Sequence, residues 1–162
     1  MKNALIVIDV QNDYFPGGAW PLEGAEEVAA EIVGAVRQAY KEGWMVVGIQ
    51  HVTTPDASFF RPGNTGTDIE SSVATILGSA VVLRKKEADS FYNTGLEELL
   101  RGAGITDIWL TGMMTQHGVT HTALSSQARG MRVHVLAKGC AAPTRDLSAL
   151  ALSALQARCR LK

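Results

Sequence analysis

The sequence lacks the features of an exported or membrane-spanning protein. It has no apolar run close to the roughly 20 residues that a membrane-spanning helix requires. Its first three residues lead directly into an apolar segment, without the long hydrophobic region and small-residue cleavage site of a signal peptide. Cysteine is scarce, and without a signal peptide free thiols are expected at Cys140 and Cys159. These absences predict a soluble, cytoplasmic protein with no membrane partner.

Neither sign of charge is in excess. The chain has 15 Lys and Arg against 16 Asp and Glu, a formal net charge of -1. The run Arg84-Lys85-Lys86 is too short for a nucleic-acid surface, so no nucleic-acid partner is expected. No Gly-x-Gly-x-x-Gly follows the first apolar run, which argues against a nucleotide-binding protein. The histidines lack the compact spacing of a metal set, so we predict no metal and no cofactor.

Short apolar runs alternate with helical patterns along the 162 residues. Buried parallel strands are predicted at Leu5–Ile8, Met45–Ile49, Val81–Leu83, Ile108–Leu110 and Val133–Leu136. Helices are predicted on a face formed by Val28, Ile32, Val36 and Tyr40, then at Leu96–Arg101, Thr115–Arg129 and Arg145–Arg158, with no strand after the last. The alternation predicts an α/β protein: a Rossmann-like three-layer α/β/α fold with a central, mainly parallel sheet, in one domain over residues 1–162.

Polar residues follow the predicted strands. Asp9 and Gln11 follow the first, Gln50 and His51 end the second, and a basic turn that contains Lys85 follows the third. Carboxyl ends of parallel strands share one sheet edge, so these groups should converge there. The fourth strand leads into a helix near Gly118, where unpaired N–H groups make an anion or oxyanion site. A carboxylate, an ammonium and such donors resemble a hydrolase site.

Each candidate also has a plainer interpretation. Asp9 could cap a turn, Lys86 is a rival of Lys85, and Gly118 could simply allow a helix to approach the sheet. Cys140 is a rival nucleophile but has no obvious activating base beside it. A small-molecule substrate is expected to contact Gln11, Phe15, Gln50, His51, Phe91 and His117, with the two phenylalanines as walls of an apolar pocket.

Four segments in order resemble the isochorismatase-like cysteine hydrolases, a superfamily that includes nicotinamidases and carbamoylsarcosine amidases. They are Leu5–Phe15, Ile49–His51, Lys85 with Phe91 six positions on, and Gly112–Thr115. The resemblance implies a catalytic triad of Asp9, Lys85 and a cysteine acting on amides or related bonds. It also implies a cis peptide at Met113-Met114, an oxyanion hole from the N–H groups of Met114 and residue 118, and a homo-oligomer, a dimer or tetramer.

Gly118 departs from this pattern. The family's Gly-x-x-Thr-x-x-Cys-Val-x-x-Thr-Ala run stands here as Gly112-Met-Met-Thr-Gln-His-Gly118-Val-Thr-His-Thr-Ala123, and glycine cannot form a thioester. Isochorismatases of the same superfamily also have glycine there and cleave a vinyl ether without covalent catalysis, with the aspartate protonating the substrate. The flanking residues instead resemble the cysteine-bearing branch, so a replaced cysteine, natural or engineered, is equally consistent.

The three interpretations of Gly118 predict different activities. The chain cleaves a vinyl ether as written, or derives from a parent that hydrolyses amide C–N bonds, or retains only a small-molecule binding pocket. The metal-binding Asp-x-His of nicotinamidases is not matched in His51-Val-Thr-Thr-Pro-Asp56. The resemblance therefore implies no metal for this chain.

Overall fold

A computed structural model describes residues 1–162. Its single sheet has six strands, in the spatial order β3-β2-β1-β4-β5-β6. The strands are β1 Asn3–Ile8, β2 Met45–His51, β3 Val81–Lys85, β4 Asp107–Met113, β5 Arg132–Ala141 and β6 Arg160–Leu161. All neighbouring strands are parallel. The predicted α/β fold with a parallel central sheet is confirmed.

Helices cover both faces of the sheet because the central strand is apolar on both sides. In β1, Leu5 and Val7 face one core, while Ile6 and Ile8 face the other. The elements that pack on the first face are α1 Ala25–Lys41 and α2 Ser71–Leu77, and those on the second are α3 Leu96–Gly102, α4 Thr120–Ala123 and α5 Arg145–Leu155. None of these helices combines the length with the apolar composition that spanning a bilayer requires.

Several predicted elements differ from the structure. The segment Thr115–Arg129, predicted as one helix, is a π-helical turn at Thr115–Val119, then α4, then a 3-10 turn at Ser126–Ala128. The chain also forms α2, which the sequence did not predict. The short strand β6 follows α5, against the expectation that no strand would, because Cys159 anchors the chain in the core and Leu161 then pairs with Val135.

Two buried faces are also placed differently from the prediction. Tyr40 is exposed at 43% and Val28 is only half-buried, because the inner face of α1 runs through Ala25, Ala29, Ile32, Val36 and Ala39. Strand β3 was expected to be buried, yet Val81 and Val82 are exposed. This strand is an edge of the sheet, which leaves its start uncovered.

An ionic cluster of the buried Asp107 and His134 with the exposed Arg132 lies at the start of β4 and β5, opposite the edge where the predicted site residues gather. Asp107 accepts bonds from Arg132 Nε and Nη2, both at 2.7 Å, and lies 3.0 Å from His134 Nε2. Arg132 holds the pKa of Asp107 well below its usual range, against the opposing effect of burial, with His134 and Thr106 adding to the lowering. The His134 ring stacks on Trp109 at 4.1 Å.

Asp107→Asn is expected to lower the free energy of unfolding at pH 7 by about 2 kcal/mol, because the charge-assisted bonds of a buried carboxylate are lost. A carboxyl whose folded pKa is depressed stabilises the fold above its unfolded pKa, near 4, and that stability disappears as the pH falls. The variant should therefore lose less stability than the parent between about pH 5 and pH 2. Urea denaturation at several pH values measures this, and parallel pH dependences in the two proteins would contradict it.

Both cysteines are free and buried. Cys140 lies in β5 and Cys159 lies just before β6. Burial raises the pKa of the Cys140 thiol to about 12 and also raises that of Cys159. Cys140 is consequently a poor nucleophile at neutral pH.

Candidate functional site

Asp9 stands immediately after β1 in a left-handed backbone conformation, with φ of 52°. Aspartate tolerates this conformation better than most residues. The Asp9 N–H donates to Ile49 O at 3.1 Å, and the Gln11 N–H donates back to Asp9 O at 3.0 Å. The backbone thus turns at the end of the strand, and Asp9 is only 1% exposed.

Lys85, the last residue of β3, reaches Asp9 across the intervening strand β2. Its Nζ lies 3.0 Å from Asp9 Oδ2 and donates to Ala88 O at 2.7 Å. Both side chains are almost fully buried, while the neighbouring Lys86 is exposed. The second carboxylate oxygen, Asp9 Oδ1, is buried without a hydrogen-bond partner. This oxygen is available to a substrate or a water molecule.

Gly118 lies directly beside this ion pair. It is buried in the π-helical turn that follows β4, after a cis peptide bond between Met113 and Met114. A Cβ on Gly118 would lie 3.2 Å from both Asp9 Oδ2 and Lys85 Nζ. A side chain at position 118 would therefore point at the acid and the ammonium. Met114 is buried next to the turn, and its place in an oxyanion hole stays a prediction.

His51, the last residue of β2, is the second side chain near the Asp9 carboxylate. Its Nδ1 lies 3.6 Å from Asp9 Oδ2, and its ring packs against Phe60 with centroids 5.8 Å apart. His51 borders an open cavity of about 590 Å³ that His117, His121, Tyr92 and residues 86–89 also line. The cavity therefore begins one side chain away from Asp9.

His117 and His121 face each other at the mouth of this cavity, with ring centroids 5.4 Å apart. Burial and the neighbouring His121 lower the pKa of His117, with smaller contributions from Lys85 and His51. His117 is thus expected to be neutral at pH 7 and able to accept a hydrogen bond. Tyr92 was not predicted as a cavity residue, whereas His121 was open to a pocket or a surface position.

Other predicted contact residues lie further from Asp9 or are already engaged. Gln50 donates to Thr67 O at 3.0 Å and accepts from Arg84 Nε at 3.3 Å. Phe15 and Phe91 belong to the cores on opposite faces of the sheet. Their roles as walls of one substrate pocket stay a prediction. The fully buried Gln11 binds backbone groups.

The isochorismatase family model, described as an isochorismatase domain, matches residues 3–160. This chain belongs to the isochorismatase family. It is 33% identical over 145 residues to YddQ of Bacillus subtilis (strain 168), named an uncharacterized isochorismatase family protein, with 89% of this chain and 80% of YddQ covered. A nicotinamidase/pyrazinamidase of Mycobacterium tuberculosis is 26% identical over 174 residues, with 94% of each chain covered.

A solved structure described as a putative isochorismatase hydrolase from Oleispira antarctica superposes with a TM-score of 0.92 and 30% identity. The superposition covers 99% of this chain and 92% of the other. The isochorismatase-like fold expected from the sequence is thus confirmed at the level of family and architecture. The relatives include proteins named as hydrolases, among them the nicotinamidase/pyrazinamidase of Mycobacterium tuberculosis, and the role of Asp9 in this chain stays a prediction.

The buried Asp13 of this isochorismatase-family chain was not singled out from the sequence. Asp13 is buried, and its carboxylate accepts the Phe60 N–H at 2.7 Å and the Ala19 N–H at 3.2 Å. It thereby anchors the long loop after β2. The structure shows no group of three or more His, Cys, Asp or Glu side chains suited to a metal, and metal-free action stays a prediction.

Proposed function

We propose that this chain hydrolyses a small molecule by adding water without a covalent enzyme intermediate. Asp9 transfers the proton, and Lys85 stabilises the carboxylate charge. The placement of Gly118 carries the proposal, since a Cβ there would lie 3.2 Å from both reacting groups. With glycine, position 118 places no side chain and no nucleophile beside these two groups. The expected cytoplasmic location and homo-oligomeric assembly are further parts of this proposal.

The reaction that fits an acid without a nucleophile is cleavage of a vinyl ether. Asp9 takes up a proton from solvent and gives it to the terminal vinyl carbon, and Lys85 stabilises the resulting carboxylate. Water adds to the adjacent carbon and returns a proton to Asp9. The hemiketal then splits into a ketone and an alcohol as its hydroxyl proton moves to the leaving oxygen. One water molecule is consumed, and Asp9 ends protonated, as it was before it gave its proton to the vinyl carbon.

A second candidate function is ligand binding without turnover. The observation that favours it is again Gly118, because a glycine beside an intact acid and ammonium is also what loss of a cysteine from an amidase would leave. In a cysteine-bearing parent, Asp9 would take the thiol proton, and the thiolate would attack an amide carbon. The present chain would then keep the cavity but lack the bond-forming group.

Restoring the thiol separates the two functions. Hydrolysis of isochorismate, which is a vinyl ether, and of a panel of small amides should be measured for the chain, for Gly118→Cys and for Gly118→Ala. We expect the chain to cleave isochorismate. Gly118→Ala is expected to be at least about tenfold slower, because its methyl group takes the space beside Asp9. This variant is the control for filling that space without adding a thiol.

Two results would overturn the proposal. If only Gly118→Cys is active, and on amides, the chain is an amidase that lacks its nucleophile. If none of the three proteins turns over any substrate, the proposed hydrolysis is also wrong. Ligand titrations followed by NMR then test the binding function.

A further inference from the structure

Gln11 has a buried side chain whose amide joins three segments of the chain. Its Nε2 donates to His51 O and to Thr67 O, both at 2.8 Å, and its Oε1 accepts the His51 N–H at 2.8 Å. Both amide hydrogens are therefore in use, and the residue is 0% exposed. The Gln11 amide therefore has no free N–H group to donate to a substrate.

Both polar groups of the His51 backbone are hydrogen-bonded to the Gln11 side-chain amide. Its N–H and its C=O each bind Gln11, while its imidazole Nδ1 lies 3.6 Å from Asp9 Oδ2. The Gln11 N–H in turn binds the carbonyl of Asp9. Gln11 thus contacts both residues whose side chains meet, and it ties the ends of β1 and β2 to each other.

We propose that Gln11 is a positioning residue, which holds the His51 imidazole beside the Asp9 carboxylate and does not itself contact substrate. This inference rests on the proposed function, in which Asp9 is the reacting group. Displacing a catalytic group by about 1 Å can lower the rate on the order of 100-fold. A residue that fixes the position of His51 beside Asp9 therefore supports the reaction rate. The same geometry replaces the substrate-contact role expected from the sequence with an indirect one.

The test is Gln11→Glu, which is nearly isosteric. It keeps an acceptor for the His51 N–H but removes the donors to the His51 and Thr67 carbonyls. We expect the kcat of Gln11→Glu to be about 10- to 100-fold lower than that of the parent. Its KM should change by less than about threefold, because no substrate contact is lost. A raised KM with an unchanged kcat would overturn the proposal and assign Gln11 to substrate binding.

The matched control is Asn12→Asp at the neighbouring position. The Asn12 amide also donates to the loop after β2, to Thr65 O at 2.9 Å, but its side chain is not hydrogen-bonded to His51 or Asp9. The kcat of Asn12→Asp should stay within about twofold of the parent value. An equal loss of kcat in both variants would mean that loosening the loop is sufficient, and the positioning role would fail.

An NMR measurement tests whether Gln11 positions His51, and it does not require the protein to turn over a substrate. In protein labelled with ¹⁵N-histidine, the imidazole signals of His51 should shift and broaden in Gln11→Glu and stay unchanged in Asn12→Asp. Unchanged His51 signals in Gln11→Glu would overturn the inference. If Gln11→Glu does not fold, Gln11→Asn gives a neutral variant whose shorter side chain cannot span the same acceptors. If the parent hydrolyses nothing, the proposed function fails while these spectra still decide the role of Gln11.

Discussion

Asp9→Asn is expected to reduce the rate of hydrolysis by about 10³-fold, since asparagine keeps the shape of the side chain but cannot transfer a proton. The substitution also leaves the buried Lys85 ammonium without its partner at 3.0 Å. Removing one member of a buried ion pair costs about 3 kcal/mol of folding free energy. Steady-state kinetics and urea denaturation measure the two losses separately.

Asp68→Asn is the matched control for this substitution, because Asp68 has an exposed side chain. It should retain the activity and the unfolding free energy of the parent. If Asp9→Asn keeps more than about a tenth of the parent activity, proton transfer by Asp9 is not part of the reaction.

Lys85→Met should affect both stability and activity. Methionine has a similar length but no charge, so the buried Asp9 carboxylate loses the ammonium 3.0 Å away. We expect a loss of about 3–5 kcal/mol in the free energy of unfolding, because an unpaired charge remains in the core. The rate of hydrolysis should fall by about 100-fold or more relative to the parent, since the Asp9 carboxylate formed in the reaction is no longer stabilised.

The double variant Asp9→Asn/Lys85→Met measures how far these two losses depend on each other. It should be more stable than the sum of the single effects predicts, because removing both partners leaves no unpaired charge. Additive effects would show that the pair is not coupled. Lys86→Met tests the rival lysine, and its unfolding free energy should match that of the parent because Lys86 is exposed. A large loss in that variant would assign the charge partner to Lys86.

Five of the six strands and their parallel arrangement could be predicted because each of the five contains a short apolar run. The two short structures that were missed carry weaker signals. The α2 sequence, Ser71–Leu77, has seven residues and includes the β-branched Val73, Thr75 and Ile76, which favour helix poorly. β6 has only two residues, and its pairing depends on tertiary contact with β5 rather than on its own pattern.

The sequence could also indicate that Asp9 and Lys85 meet, since both follow strands whose carboxyl ends share an edge. It could not show how Gln11 is used. A glutamine two positions after the acid is compatible with substrate contact or with bracing, and only the position of the His51 and Thr67 backbone groups distinguishes them. The same limit applies to Gln50, whose partners Thr67 and Arg84 come from other segments.

The two buried thiols make this protein well suited to selective chemical labelling. Cys140 and Cys159 are shielded, and their raised pKa values keep them protonated at neutral pH. An alkylating reagent applied to the folded chain has no reactive sulfur to modify. The Cβ of a cysteine introduced at the buried position 118 would lie 3.2 Å from the Asp9 carboxylate and the Lys85 ammonium. Its alkylation rate would report on the electrostatics of the site and on the access of reagents to it. Loss of the fold would be visible in the same assay, as a second and third label.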